Sequence, residues 1–232
     1  MQRFWEIDFF RGLAIVLMVL FNYAFTLDYF HIYAAAEGWL FWWLFPRIVA
    51  GMFIFIAGVA LTISYSRRKN KQHHTKRGLK VFGWGLIITA VTWAFAPAVT
   101  VWFGVLHFIG LSIILSLLFV KLKPGRILVV ASIFLIVGIY LNSLAFDFPW
   151  LLWLGLTPSS FSTLDYFPLF PWFGIFAIGM ALGKKLYRNG KRRFKIRKEL
   201  FAPLNFLGRH SLFIYLLHQP VLLGALYVLG LF

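Results

Sequence analysis

Seven long apolar runs divide the chain, at approximately 9–28, 39–65, 79–97, 101–120, 126–145, 167–187 and 205–230. Each is close to the roughly 20 residues a helix needs to cross about 30 Å of hydrocarbon. The pattern predicts an all-α fold, a polytopic membrane bundle of about seven transmembrane helices, making one transmembrane domain over 1–232. Only Arg3 precedes the first run, and that run is too long for the apolar part of a cleavable signal. Helix 1 is therefore expected to act as a signal anchor. No internal repeat stands out residue by residue.

The polar positions between the runs are sorted by sign. One set of connections holds Arg67, Arg68, Lys69, Lys71, Lys76, Arg77 and Lys80, then Lys121, Lys123 and Arg126, then nine Lys and Arg between Lys184 and Lys198. With Arg3 and Arg209 added, every one of the 23 positive residues except Arg11 and Arg47 falls on this side. The opposite side holds Asp28, Glu37, Asp147 and Asp165, and its connections contain no Lys or Arg. The positive-inside rule then places the N-terminus in the cytoplasm and the C-terminus outside, in a multi-pass protein of the cell membrane.

Composition changes the picture only through this sorting. A net charge of +16 and a pI near 10.4 would ordinarily suggest a nucleic-acid partner. Yet 61% of the residues are hydrophobic and 13% charged, against about 25% charged in soluble domains. Nucleic acid is therefore excluded as a partner. The charge reads as a topology signal that also attracts anionic membrane lipids, by about 1 kcal/mol per residue at the cytoplasmic leaflet. Part of the basic patch can also receive the phosphates of a nucleotide. The absence of cysteine rules out disulfides, thiolate nucleophiles and Cys-ligated metal, and no metal site is expected.

Ionisable groups at hydrocarbon depth cost roughly 2.5–3.5 kcal/mol on insertion scales, so they face partners or cavities. Asp8 and Arg11 lie three apart on one face of helix 1, with Asp8 placed where a helix N-terminus favours a carboxylate. Asn22 lies about 20° off a whole number of turns from Arg11 and roughly 16 Å further along the same face. Taken alone, Asp8 and Arg11 read equally well as an anchoring ion pair. His31 follows the outer end of helix 1 beside Asp28 and Tyr29. Histidine in general titrates near pH 6.5 and can exchange a proton or act as a nucleophile, although a lone loop histidine is more often ordinary.

Arg47, just after Pro46, needs a carboxylate, carbonyls or an anionic ligand. His107 lies in Gly104-Val-Leu-His107-Phe-Ile-Gly110, between glycines that permit close helix approach. His218 precedes Gln219 and Pro220, and the proline predicts a kink beside it. The inferred depths of Asn22, Arg47, His107 and His218 predict a shared polar cavity. Pro168-Leu-Phe-Pro171-Trp172-Phe-Gly174 introduces helix 6 and shapes either a pocket mouth or an interfacial belt. His73 and His74 lie among Lys and Arg and are expected to be a solvated loop.

These motifs together resemble the heparan-α-glucosaminide N-acetyltransferase catalytic-domain family of transmembrane acyltransferases, over nearly the whole chain. The likeness rests on Glu6-Ile-Asp8-Phe-Phe-Arg11-Gly12, Leu20-Phe-Asn22-Tyr23, Phe53-Ile-Phe-Ile-Ala-Gly58, Gly104-Val-Leu-His107, Phe167-Pro-Leu-Phe-Pro171-Trp172-Phe-Gly174, and Leu207-Gly-Arg-His-Ser211-Leu-Phe-Ile-Tyr215-Leu-Leu-His218-Gln-Pro220. Their order and spacing carry it. The resemblance implies acetyl transfer from cytoplasmic acetyl-CoA, the co-substrate, to an amino sugar or glycan acceptor on the far side. It points to His31 as the catalytic histidine and to Asn22 as its asparagine. Asp8, Arg11, Arg47, His107, Trp172, His218 and Gln219 are expected to line the acyl-CoA and substrate cavity.

A transporter using the same intramembrane Arg and His as a substrate or proton path is the competing reading. A retinal-type receptor is disfavoured, because the last helix has no lysine for a Schiff base. Whether the chain acts alone or as a homo-oligomer is open at this stage.

Overall fold

The computed structural model describes residues 4–32, 38–144, 146, 149–188, 191–194 and 202–231. It is all-α apart from one short hairpin, as the apolar runs predict. Six of its helices are long and apolar enough to cross a membrane. The described residues fall into two compact units, one from Met1–Ile56 with Ile196–Phe232 and the other from Ala57–Lys195.

The first unit is built on α1 (Trp5–Tyr29). The opening stretch of α2 (Trp39–Arg67), up to Ile56, also belongs to it, together with α7 (Ala202–Arg209) and α8 (Ser211–Val228). Its apolar centre is Ile15 and Met18 of α1 against Val49 of α2, closed by Phe45, Phe53, Ile214 and Tyr215. The predicted run 205–230 is not one helix here. It breaks at His210, and α7 and α8 lie on either side of the break.

Two glycines set how α7 meets α1. A Cβ on Gly12 would run into the Leu204 carbonyl oxygen, and one on Gly208 would run into that of Asp8. The pairs 12 with 204 and 8 with 208 descend in opposite directions, so α7 is antiparallel to α1. Backbones this close need small residues on both sides, the packing device of membrane helices, where water supplies no apolar driving force. After His210 the chain reverses, and α8 rises parallel to α1.

The second unit contains the end of α2, then α3 (Lys71–Phe95), α4 (Val105–Ser116), α5 (Pro124–Leu141) and α6 (Leu169–Leu186). An antiparallel pair, β1 (Tyr187–Arg188) and β2 (Lys191–Arg192), follows. On α6 the buried positions Phe173, Phe176, Ala177 and Met180 recur at helical spacing and form the core face. Phe176 meets Phe108 of α4 edge-on at 6.5 Å, and Phe173 meets Phe134 of α5 at 4.7 Å. The outward faces stay apolar, with Leu86, Ile87 and Val91 on α3 and Ile133, Ile136 and Ile139 on α5 all exposed. Apolar faces of this extent would be a liability in water and match a hydrocarbon surround.

Two of the runs differ from the sequence expectation for physical reasons. The run expected at 79–97 starts at Lys71, because the Asn70 side chain accepts the His73 amide and caps the helix N-terminus. His73 and His74 are therefore helical, and His74 is fully buried with its Nε2 on the Arg68 carbonyl at 3.0 Å. This overturns their reading as a solvated loop. The run at 101–120 contains a helix of only 12 residues, about 18 Å long and short of the hydrocarbon thickness. Lys184, expected in a cytoplasmic connection, sits in the last turn of α6, where its Nζ donates to the Val120 and Leu122 carbonyls at 2.8 and 2.6 Å.

Candidate functional site

In the first unit, α1 and α8 bring polar residues together. Val19, Asn22 and Thr26 share one face of α1, at i, i+3 and i+7. Asn22 donates to the Met18 carbonyl one turn back at 2.9 Å, which leaves its second amide hydrogen and its oxygen for another partner. Thr26 is buried, and its hydroxyl receives the Gln219 amide of α8 at 3.2 Å. Gln219 Oε1 is also buried and has no hydrogen-bond partner among the described residues.

His218 is half-buried beside a groove of about 420 Å³ whose lining includes Val19, Leu217, Val221 and Leu222. Its Nδ1 sits 2.7 Å from the Tyr215 carbonyl. A carbonyl accepts only, so a neutral His218 keeps its proton on Nδ1 and presents Nε2 as a base. α8 continues as helix through Pro220.

At the other end of α1, Asp8 is buried between two guanidiniums, 3.4 Å from Arg11 and 3.7 Å from Arg209. The expected pair of Asp8 and Arg11 is thus a triad, with its third member from α7. Such a cluster places a compensated carboxylate at the first turn of α1 and ties it to the α7 crossing.

His31 follows the end of α1 in the left-handed region, φ 56°, with its ring exposed. Its backbone amide bonds the Asp28 carbonyl at 3.0 Å, and among the described residues the ring makes no hydrogen bond. A ring held at a turn with both nitrogens open can trade a proton with an arriving molecule. Asn22 lies about 10 Å inside the helix end at Tyr29, so α1 sets it deeper than His31.

The remaining residues expected at the cavity have the following surroundings. Arg47 is exposed on α2, its Nη1 donating to the Trp43 carbonyl and its guanidinium stacked 4.3 Å from the Trp43 ring centroid. These contacts meet its need for a partner within its own helix. Trp172, half-buried on α6, packs edge-on against Phe167 at 4.8 Å in the second unit.

His107 also belongs to the second unit, and both its ring nitrogens are engaged there. Nδ1 receives the Gly104 amide at 3.2 Å, and Nε2 donates to the Thr89 hydroxyl at 3.2 Å while that hydroxyl donates to the Val101 carbonyl. Phe82 and Phe103 enclose the ring, and a Cβ on Gly85 would come within 2.9 Å of it. The geometry is that of a fastener joining α3, the 101–104 loop and the start of α4. Replacing His107 with leucine is expected to strand the Gly104 amide and cost about 1–3 kcal/mol. A lowered midpoint of thermal unfolding in detergent checks this, and an unchanged midpoint would refute it.

Two contributors were not visible as such in the sequence. Thr26 partners Gln219, and its spacing of four from Asn22 is the only local hint. Asp165 accepts the first amide of α4, Val105 N, at 2.9 Å, across 60 positions that no periodicity connects. Next to it, Tyr166 donates its hydroxyl to the Leu152 carbonyl at 2.7 Å, and burial pushes the phenol above its ordinary range. Glu37 and Asp147, expected on the outer side, lie outside the described residues, as do Arg3, Lys195, Arg197, Lys198 and Glu199. Among the described residues no three His, Asp or Glu side chains come together as metal ligands.

The family model described as "Heparan-alpha-glucosaminide N-acetyltransferase, catalytic" matches residues 3–220. No curated protein and no solved structure matches the chain.

Proposed function

The chain belongs to the heparan-alpha-glucosaminide N-acetyltransferase catalytic family, and from that premise we propose that it is an acetyl-CoA-dependent acetyltransferase of the cell membrane. It moves an acetyl group from cytoplasmic acetyl-CoA to an amino sugar or glycan on the outer side, with its N-terminus in the cytoplasm and its C-terminus outside. The observation that carries this reading is the family match over residues 3–220, a range that contains all the motifs quoted above.

In the transfer, the acceptor amine attacks the acetyl carbon, the carbon–sulfur bond breaks, and CoA leaves as the thiolate. The amine proton passes to a base, the role assigned to His31 with its exposed ring at the outer end of α1. The same ring is equally suited to accept the acetyl group first and hand it on. Asn22 retains one amide hydrogen beyond its bond to Met18, suited to the oxygen that gains negative charge at the acetyl carbon. The basic connections of the cytoplasmic side supply the charge that CoA phosphates need. The Asp8, Arg11 and Arg209 triad, His218 and Gln219 complete the polar surface of α1, α7 and α8. Arg47, His107 and Trp172, whose contacts are all met within the protein, have no assigned step.

Binding of acetyl-CoA by the purified protein separates this reading from a permease. Acetyl-CoA at 100 times its Kd is expected to stabilise the folded state by about 2.7 kcal/mol, seen as a raised unfolding midpoint. A folded protein whose midpoint does not move at millimolar acetyl-CoA would refute the donor assignment.

A further inference from the structure

We propose that Gln219 holds the acceptor, its Oε1 taking a hydrogen bond from an amine or hydroxyl hydrogen of the incoming sugar. The proposal rests on the acetyltransferase reading and adds to it the residue that recognises the acceptor. Gln219 lies on an apolar helix at a depth where a bare polar atom is expensive. Its amide nitrogen is fixed on the buried Thr26 hydroxyl at 3.2 Å, which orients the group, while Oε1 is buried and unpartnered.

Native proteins rarely leave such an atom unsatisfied unless something arrives to complete it. Pro220, the next residue, has no N–H for the Leu216 carbonyl one turn earlier, so a second acceptor lies close by on α8.

The chemistry of the complement separates donor from acceptor substrate. Oε1 needs a hydrogen-bond donor, and the acetyl thioester group has none, whereas an amino sugar carries several. Its place on the molecule agrees. Thr26 lies within one turn of the end of α1 that leads to His31, the end from which the reading brings the sugar. A sugar hydroxyl or amine seated at Gln219 would be held by α1 and α8 together.

The test measures binding of D-glucosamine and of acetyl-CoA separately, by saturation-transfer NMR and by thermal shift, on the detergent-purified full chain. Gln219→Leu, nearly the same size, and Thr26→Val, which frees the amide to turn, are compared with the unaltered protein. The expected result is at least a tenfold loss of glucosamine affinity in Gln219→Leu and a smaller loss in Thr26→Val. Acetyl-CoA affinity stays within twofold in both, which a merely structural role for Gln219 would not produce.

Unchanged glucosamine binding in Gln219→Leu overturns the proposal and leaves the transferase reading standing. Parallel loss of both ligands also overturns it, marking Gln219 as structural. Glucosamine binding by the unaltered protein without acetyl-CoA binding refutes the transferase reading, while the Gln219 variants still decide the sugar site. An unaltered protein that binds neither ligand overturns both.

Discussion

Replacing His31 with alanine is expected to reduce acetyl transfer from acetyl-CoA to an amino sugar by about 10²–10⁴-fold, the usual worth of a positioned acid–base group, with acetyl-CoA binding largely intact. Backbone conformation has to be separated from chemistry here. His31 sits at φ 56°, where alanine is strained and glycine is not. A loss in the alanine variant could therefore come from a displaced turn. His31→Gly removes the ring and relaxes the turn, and His31→Asn keeps a polar side chain at ease in the left-handed region. If the ring does the chemistry, all three variants lose transfer to a similar depth. Radiolabelled acetyl incorporation into glucosamine measures it. Turnover close to that of the unaltered protein in the glycine variant would remove His31 from the mechanism, because only the imidazole is then missing.

The second large effect is structural. Gly12→Val and Gly208→Val each place side-chain atoms against a backbone carbonyl at the α1 and α7 crossing. Backbone cannot yield as a flexible side chain can, so the helices must separate. A cost at or above the usual 1–3 kcal/mol of overpacking, roughly, is expected for either change. The double variant is expected to cost less than the two single costs combined, since the first separation already makes room for the second. Reversible unfolding in a mixed-detergent titration reads both. Full additivity would show that the two glycines act at independent sites, against the reciprocal contact. Separation also draws Arg209 away from Asp8, so the ion triad and the crossing are expected to fail together.

Helix content and most spans were legible because hydrocarbon imposes a length and a composition that a single chain displays directly. The errors came where polar atoms, not apolar runs, set the ends. Asn70 capped a helix far earlier than the hydropathy of residues 79–97 implied. His210 broke a run that apolar content alone reads as continuous. For the site, residues one or two turns apart were readable and residues joined through space were not. Asp8 with Arg11 was visible at a spacing of three, whereas Arg209 reaches the same carboxylate from the far end of the chain.

His107 and Arg47 show what a costly polar residue signals. Each carries a polar group that needs a partner, and the partner is a loop amide and a hydroxyl in one case and a neighbouring carbonyl and indole in the other. Cost identifies a group that needs a partner and does not say whether the partner is a ligand.

The bond from Gln219 to Thr26 joins residues 193 positions apart, and the contacts of Asp8 with Gly208 and Arg209 reach equally far. During synthesis, α1 therefore enters the bilayer with a carboxylate that has only Arg11 beside it, and with a hydroxyl and a bare glycine face whose partners on α7 and α8 do not yet exist. The whole of residues 57–195 is made before α7 and α8 emerge. Until then the contacts that α7 and α8 supply to these groups are missing. Completion of the first unit therefore waits on the last helices, and its contacts carry the loop-closure cost of residues about 200 positions apart.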